Sequence, residues 1–224
     1  MTDSDTGFGR LSRWYRALEF AAFGRDLERA RFAFLGRLAG CADILLLGEG
    51  DGRCASRLAA IAPGARIHCV DLSAGMIARA ARRLERAGLG ERVTFERADL
   101  LSFVPAPAAF DAVATLFVLD CFDADGVASI VSRVVPGLRP AAPWLFADFV
   151  MPAAGAARVR ARLWLAVLYA FFRWTSGLRV SALPPSEAIL ERAGWRRTAC
   201  LDLNRGLIRS AVYAREPRGP GAAP

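Results

Sequence analysis

A run of glycines at alternate positions, Gly48-Glu49-Gly50-Asp51-Gly52, sits directly behind a short apolar stretch, Ile44 to Leu47, in this 224-residue chain. Glycine lets the backbone turn sharply with positive φ and leaves room where a Cβ would stand, so a ligand can come against the main chain. The acids that follow, Asp71, Asp99, Asp120 and Asp148, each come at or just after the end of another apolar run. In open α/β sheets that is where ligands bind. Asp71, 23 residues after Gly48, stands where a carboxylate accepts from the two hydroxyls of a ribose. An acid there can instead cap a helix, but Ser73 is able to cap the next helix itself, which leaves Asp71 for a ligand.

The elements that position these residues follow from periodicity. Ile44 to Leu47 is continuously apolar, the pattern of a strand buried on both faces of a parallel sheet. Beyond the turn, Ala55, Leu58, Ala59 and Ile61 recur at helical spacing, so strand, turn and helix make the first half of a nucleotide-binding βαβ unit. The spacing is G-x-G-x-G. A dinucleotide fingerprint would place its third glycine at Arg53, and no Lys follows for a phosphate-binding P-loop. Such a turn suits the uncharged or zwitterionic amino-acid end of a nucleoside cofactor. Further strands are predicted over residues 66–70, 93–97, 110–117 and 144–147, with helices over 73–87 and 125–138. A long apolar helix is predicted within 151–180 and a short one over 186–193. Two final strands, 195–203 and 208–215, flank Asn204-Arg205-Gly206 as a hairpin. Ahead of the sheet, Leu11, Tyr15, Leu18 and Ala22 mark one helical face, and Leu27, Ala30, Phe34 and Leu38 a second.

With the glycine turn, Asp71 and the terminal hairpin, the chain resembles the class I S-adenosylmethionine-dependent methyltransferases over about residues 10–215. It is most similar to the broad group of small-molecule methyltransferases that includes quinone-biosynthesis enzymes. The fold this implies is a seven-stranded, mostly parallel α/β sheet ending in an antiparallel hairpin, a Rossmann-like methyltransferase fold. An N-terminal helical cover (1–40) would precede the methyltransferase domain (41–215), a helical lid (151–180) would come before strand six, and 216–224 would be a disordered tail. The implied cofactor is S-adenosylmethionine. Gly48, Glu49, Gly50 and Gly52 would hold its methionine end, Asp71 the ribose and Asp99 the adenine amine. Leu72 and Met76 would wall the adenine, while Leu100, Phe117 and the lid aromatic Tyr15 would complete the cofactor set. Glu49 departs from the family, many of whose members carry a small residue or Cys there. A general base is needed only for an acceptor that must lose a proton; Asp120, Asp148 and Tyr169 are the candidates.

Composition bounds the rest. All 30 basic residues are Arg, and the net charge of +8 is carried by residues 151–224, with 12 Arg against four acids. Recognition of nucleic acid would interleave such charge with stacking aromatics in a known module, and none is visible. Five cysteines without a C-x-x-C pair and a single histidine, His68 inside a strand, exclude a metal cluster and read as core residues of a cytoplasmic protein. No secretory signal is visible at the start, and the longest apolar run, Leu163 to Phe172, is too short to span a bilayer. The helix within residues 151–180 has almost no polar face; Arg158, Arg160 and Arg162 precede its apolar run, Leu163 to Phe172, and Arg173 follows it, so residues 158–173 are the segment that could meet a membrane. They read as a lid over a small hydrophobic or aromatic acceptor, or as an interfacial helix meeting a lipid-like acceptor at an anionic membrane. Two other functions are alternatives: a non-catalytic, methyltransferase-like binding protein, and a NAD-dependent oxidoreductase, against which the Gly52 spacing and the terminal hairpin argue.

Overall fold

The computed structural model describes residues 23–152, 154–176 and 182–215, with the backbone alone for 167–176. Seven strands form one sheet in the order β3-β2-β1-β4-β5-β7-β6. They are β1 Asp43–Leu47, β2 Arg66–Asp71, β3 Val93–Arg97, β4 Ala112–Leu116, β5 Trp144–Phe149, β6 Trp195–Leu203 and β7 Ile208–Arg215. The first five are parallel, and β7 runs antiparallel between β5 and β6. Helices α1 Asp26–Phe32, α2 Arg53–Ile61, α3 Ala74–Arg86, α4 Ala124–Val134, α5 Gly155–Ser176 and α6 Ser186–Arg192 complete the described elements.

The apolar runs are buried for the reason the pattern gives: helices cover both faces, so successive side chains of a central strand enter opposite halves of the core. Ile44 and Leu46 join the cluster containing Leu58 and Leu84, whereas Leu45 and Leu47 join the one containing Ile130 and Val131. Helix ends are set by local chemistry. Ser73 caps α3 by accepting from Met76 N–H at 3.3 Å. Gly88 closes it in a left-handed conformation, with Leu89 N–H returned to Leu84 O at 2.9 Å.

Several expectations are corrected. The second N-terminal helix is broken: α1 stops at Phe32, and a tighter turn, Leu35–Leu38, follows. Its three-residue repeat puts Leu35 and Leu38 in the core and leaves Phe34 partly exposed. Strand β4 is shorter than 110–117. Phe110 makes only an isolated bridge to Leu138, and Phe117 leaves the strand at φ +62°. Helix α4 ends at Val134, not near 138, because Pro136 has no N–H to give and its ring would meet the carbonyl one turn back. The start of α5 is not wholly buried. Ala161 and Leu165 face the core, while Val159 and Leu163 are 61% and 66% exposed. The first predicted helix with Tyr15, and the tail 216–224, lie outside the described residues.

The turn after β1 is fixed from both sides. Gly48, Gly50 and Gly52 take φ of +66°, +69° and +82°. A Cβ on Gly52 would stand 2.7 Å from the Ala80 Cα of α3, and one on Gly48 would stand 2.3 Å from Val118 Cγ2, whereas one on Gly50 would meet nothing within 4 Å. Gly52→Ala is therefore expected to cost about 2–4 kcal/mol, backbone strain plus overpacking against a main chain that cannot yield. Gly50→Ala should cost only the strain, about 1–2 kcal/mol. Urea unfolding of the two variants checks this, and equal losses would contradict the packing argument.

Candidate active site

The carboxyl ends of β1, β2, β4 and β5 converge on the glycine turn. Gly48 N–H continues the sheet by donating to Val70 O at 2.8 Å, and Gly50 N–H donates to Asp71 Oδ2 at 2.9 Å. The other oxygen, Asp71 Oδ1, accepts from Ser73 N–H at 2.8 Å. Ser73 does cap α3, as expected, yet Asp71 is not left idle: each of its oxygens holds a backbone bond. Each retains a further lone-pair site, so the carboxylate can brace the turn and still accept from a ligand hydroxyl. The Cβ side of Gly50 is open, with nothing within 4 Å.

Glu49 points beneath the turn. Its Oε1 accepts from Ala55 N–H at 3.0 Å, in the first turn of α2, where unpaired N–H groups and the helix dipole favour an acid. Burial pushes its carboxyl up to about 7, against the opposing pull of the Ala55 N–H and the Arg31 charge. Arg31 reaches in from α1, its guanidinium 5.1 Å from the centre of the Phe117 ring. Phe117, in turn, lies edge-on to Phe149, with ring centres 5.7 Å apart. Nothing in the sequence marks Arg31, because its partners are far along the chain and seven Arg occur in the first 40 residues.

Asp148, at the end of β5, is buried. Its Oδ2 accepts from Leu119 N–H at 3.1 Å and Asp120 N–H at 3.2 Å, and its Oδ1 from Phe149 N–H at 2.9 Å. Burial, and then the charge of Asp120, raise its carboxyl well above the ordinary range. Asp120 and Asp148 thus form one pair at the mouth of the site. Among the apolar candidates, Leu72 is 63% exposed, Met76 is partly exposed and Leu100 is buried. Arg97 Nε holds the Leu72 carbonyl at 3.2 Å. Asp99 is exposed, and its Oδ1 accepts from Leu101 N–H at 2.9 Å, a local turn bond. Tyr169 lies in the part of α5, 167–176, of which the backbone alone is described, and Tyr15 is outside the described residues altogether. His68 is tied within the sheet to Thr94 Oγ1 at 2.9 Å and Glu96 Oε2 at 3.1 Å. It faces a separate cleft of about 410 Å³ with Phe103 and Phe110. Among the described residues no group of acids, cysteines and histidine is placed to hold a metal.

Residues 44–141 match a family described as a methyltransferase domain, over a segment that contains the turn, Asp71, Asp99 and Asp120. That segment is 98 of the chain's 224 residues. The whole methyltransferase fold is shared with solved structures. Mitomycin 7-O-methyltransferase MmcR aligns at a TM-score of 0.68 and 21% identity, over 96% of this chain and 61% of that one. The 1,6-didemethyltoxoflavin-N1-methyltransferase of Burkholderia thailandensis aligns at a TM-score of 0.63 and 19% identity, over 97% and 92% of the two chains. An uncharacterised protein of Synechococcus sp. is 35% identical over 96 residues, which are 42% of this chain and 23% of that protein. The chain thus spans under a quarter of that relative and under two thirds of MmcR.

The Glu49 carboxyl makes a testable contribution to stability. An acid raised from 4.5 to about 7 keeps, in the folded state, a proton that the unfolded chain has already lost. Stability therefore falls as pH rises through that window and levels off above it. The loss from this one group is on the order of 3 kcal/mol. Glu49→Gln should remove that part of the slope in urea unfolding series between about pH 4.5 and 8, and identical slopes would refute the assignment.

Proposed function

We propose that the protein is an S-adenosylmethionine-dependent methyltransferase acting on a small, hydrophobic or aromatic acceptor. The observation that carries the reading is the turn at Gly50, open on its Cβ side and braced by a carboxylate with acceptor capacity to spare. Gly48, Glu49, Gly50 and Gly52 take the amino-acid end of the cofactor, with Phe117 beside it. Asp71 takes the ribose and Asp99 the adenine amine. Leu72, Met76 and Leu100 line the base; the exposure of Leu72 is accounted for by a planar apolar ligand lying against it.

When bound, S-adenosylmethionine supplies an electrophilic methyl group on a sulfonium, displaced in line by an acceptor lone pair. The chain's own work is alignment and exclusion of water. Where the acceptor is a hydroxyl or amine, its proton has to be taken up nearby. Burial and the charge of Asp120 push the Asp148 carboxyl toward its protonated form. Asp120, the less buried partner, is the candidate base; Asp148 fixes it through the Asp120 N–H. Tyr169 is the further candidate from the lid. A lipid-like acceptor, met by a cytoplasmic protein through peripheral membrane contact of residues 158–173, is the form of this reading that the apolar helix favours.

Calorimetric titration with S-adenosylhomocysteine, run beside NAD, tests the proposal. Micromolar binding to the first and none to the second is expected, and the reverse would make the protein an oxidoreductase. Asp71→Ala should weaken the binding by about 1–3 kcal/mol, the cost of leaving buried polar partners unpaired. Unchanged affinity would remove Asp71 from the site. Cofactor binding without methylation of any hydrophobic phenol, quinol or amine offered would favour a non-catalytic binding protein.

A further inference from the structure

We propose that the rim of the site made by the start of α5 and the β6–β7 turn is a docking surface for an anionic lipid bilayer. This names the surface from which the acceptor is drawn and so rests, for its purpose, on the methyltransferase reading. The β6–β7 turn lies beyond the carboxyl end of β5, because Ile208 of β7 pairs with Phe149. Val150 N–H donates to Leu207 O at 2.9 Å, and Pro152 lies 3.9 Å from where a Gly206 Cβ would stand, which sets Met151 beside the turn. Arg160 of α5 ties the helix to the same turn, one nitrogen donating to Asn204 O at 2.8 Å and to Asn204 Oδ1 at 2.6 Å.

On this rim the apolar side chains that the core does not take are Met151, Val159 and Leu163, at 37%, 61% and 66% exposed. Val159 and Leu163 are one helical turn apart, with Ala161 and Leu165 on the opposite, core-facing side. Interleaved with them is Arg162, and at the tip of the turn is Arg205, both exposed. Among the described residues neither guanidinium has a hydrogen-bond or carboxylate partner. Asn204, Arg205 and Gly206 hold φ of +50°, +56° and +82°, a left-handed run that only the last residue adopts without strain. The Arg160 bonds lock that conformation and direct Arg205 outward.

Charge selects the occupant. No Asp or Glu occurs in residues 149–186, whereas five Arg do. The nearest acid of the hairpin, Asp202, is already bound by Arg209 through both oxygens, at 2.6 and 2.8 Å. An exposed apolar stripe set among cations, with no anion in the segment, is the pattern of an interfacial helix on anionic headgroups. It repels nothing in such a surface and would gain little from a neutral one. No described helix is long and apolar enough to cross a membrane, so the contact is peripheral.

The test is co-sedimentation of the full chain with vesicles of phosphatidylcholine alone and of phosphatidylcholine with phosphatidylglycerol. Pelleting is expected with the anionic vesicles at low salt and not with the neutral ones, and should fall about tenfold or more in Arg162→Glu/Arg205→Glu and in Val159→Asp/Leu163→Asp. Titration of each variant with S-adenosylhomocysteine in solution reports folding and, separately, the cofactor reading. Normal cofactor binding with no pelleting of the wild type overturns the docking surface alone. So does pelleting that the variants leave unchanged, or a dimer in sedimentation equilibrium that Val159→Asp/Leu163→Asp dissolves.

Discussion

The contact between Gly52 and Ala80 is the constraint on which the turn after β1 depends, because a Cβ there would meet main chain. It brings the start of α2 against α3 at a distance no side chain permits, and on the opposite side Gly48 meets Val118 in the same way. The turn after β1 is thus clamped between the helical layer on one side and the segment after β4 on the other. Gly50 is the exception. Its positive φ is needed for the path of the chain, but no neighbour fills the space beside it. Two glycines serve packing and one serves access, and the access is possible only because the other two hold the main chain still. The Gly50 N–H to Asp71 bond then ties the tip of the turn to the end of β2.

Around that clamp the site gathers acids that would repel one another if all were ionised. Two are relieved in the same manner. Glu49 and Asp148 are each pushed toward the neutral form by burial, and each is held by backbone N–H groups, Ala55 for the first and Leu119, Asp120 and Phe149 for the second. Burial and N–H donation act in opposite senses on the proton, and burial wins in both. The consequence is structural as well as chemical. Asp148 fixes the tight turn Leu119–Cys121, so the position of Asp120 depends on a residue 28 positions away in another strand.

The sheet was legible in the sequence where a residue's neighbours along the chain decide its fate. Strands β3, β6 and β7 fall at the predicted bounds because short apolar or alternating runs end in turn-forming residues, Asn204-Arg205-Gly206 above all. Glycine spacing and Asp71 were legible for the same reason, since a βαβ unit is local. Failures came where a distant contact chose the outcome. Helical spacing through Phe34 was overridden when Leu35 and Leu38 found the core, and Phe117 left β4 for a left-handed conformation that no pattern announces. Arg31 escaped notice because its meaning lies in Phe117 and Glu49, neither near it in the chain. Asp148 was visible as a strand-end acid, but its protonation and its hold on Asp120 belong to burial, which the sequence does not state.

A shared fold leaves the reaction open, so chemistry has to be argued from the site and its surroundings. The turn end of the sheet is rigid: β1, β2 and the turn between β1 and α2 are locked by hydrogen bonds and steric contact. The rim beyond β5 is of a different kind. It is bounded by α5 and the β6–β7 turn, tied by Arg160, whose Nε is buried without a partner among the described residues. An unpaired buried donor costs free energy that the two bonds to Asn204 must offset. On the reading proposed above, the turn is the floor that holds the cofactor, and the cationic and apolar rim, free of acids across residues 149–186, is the side from which an acceptor would approach.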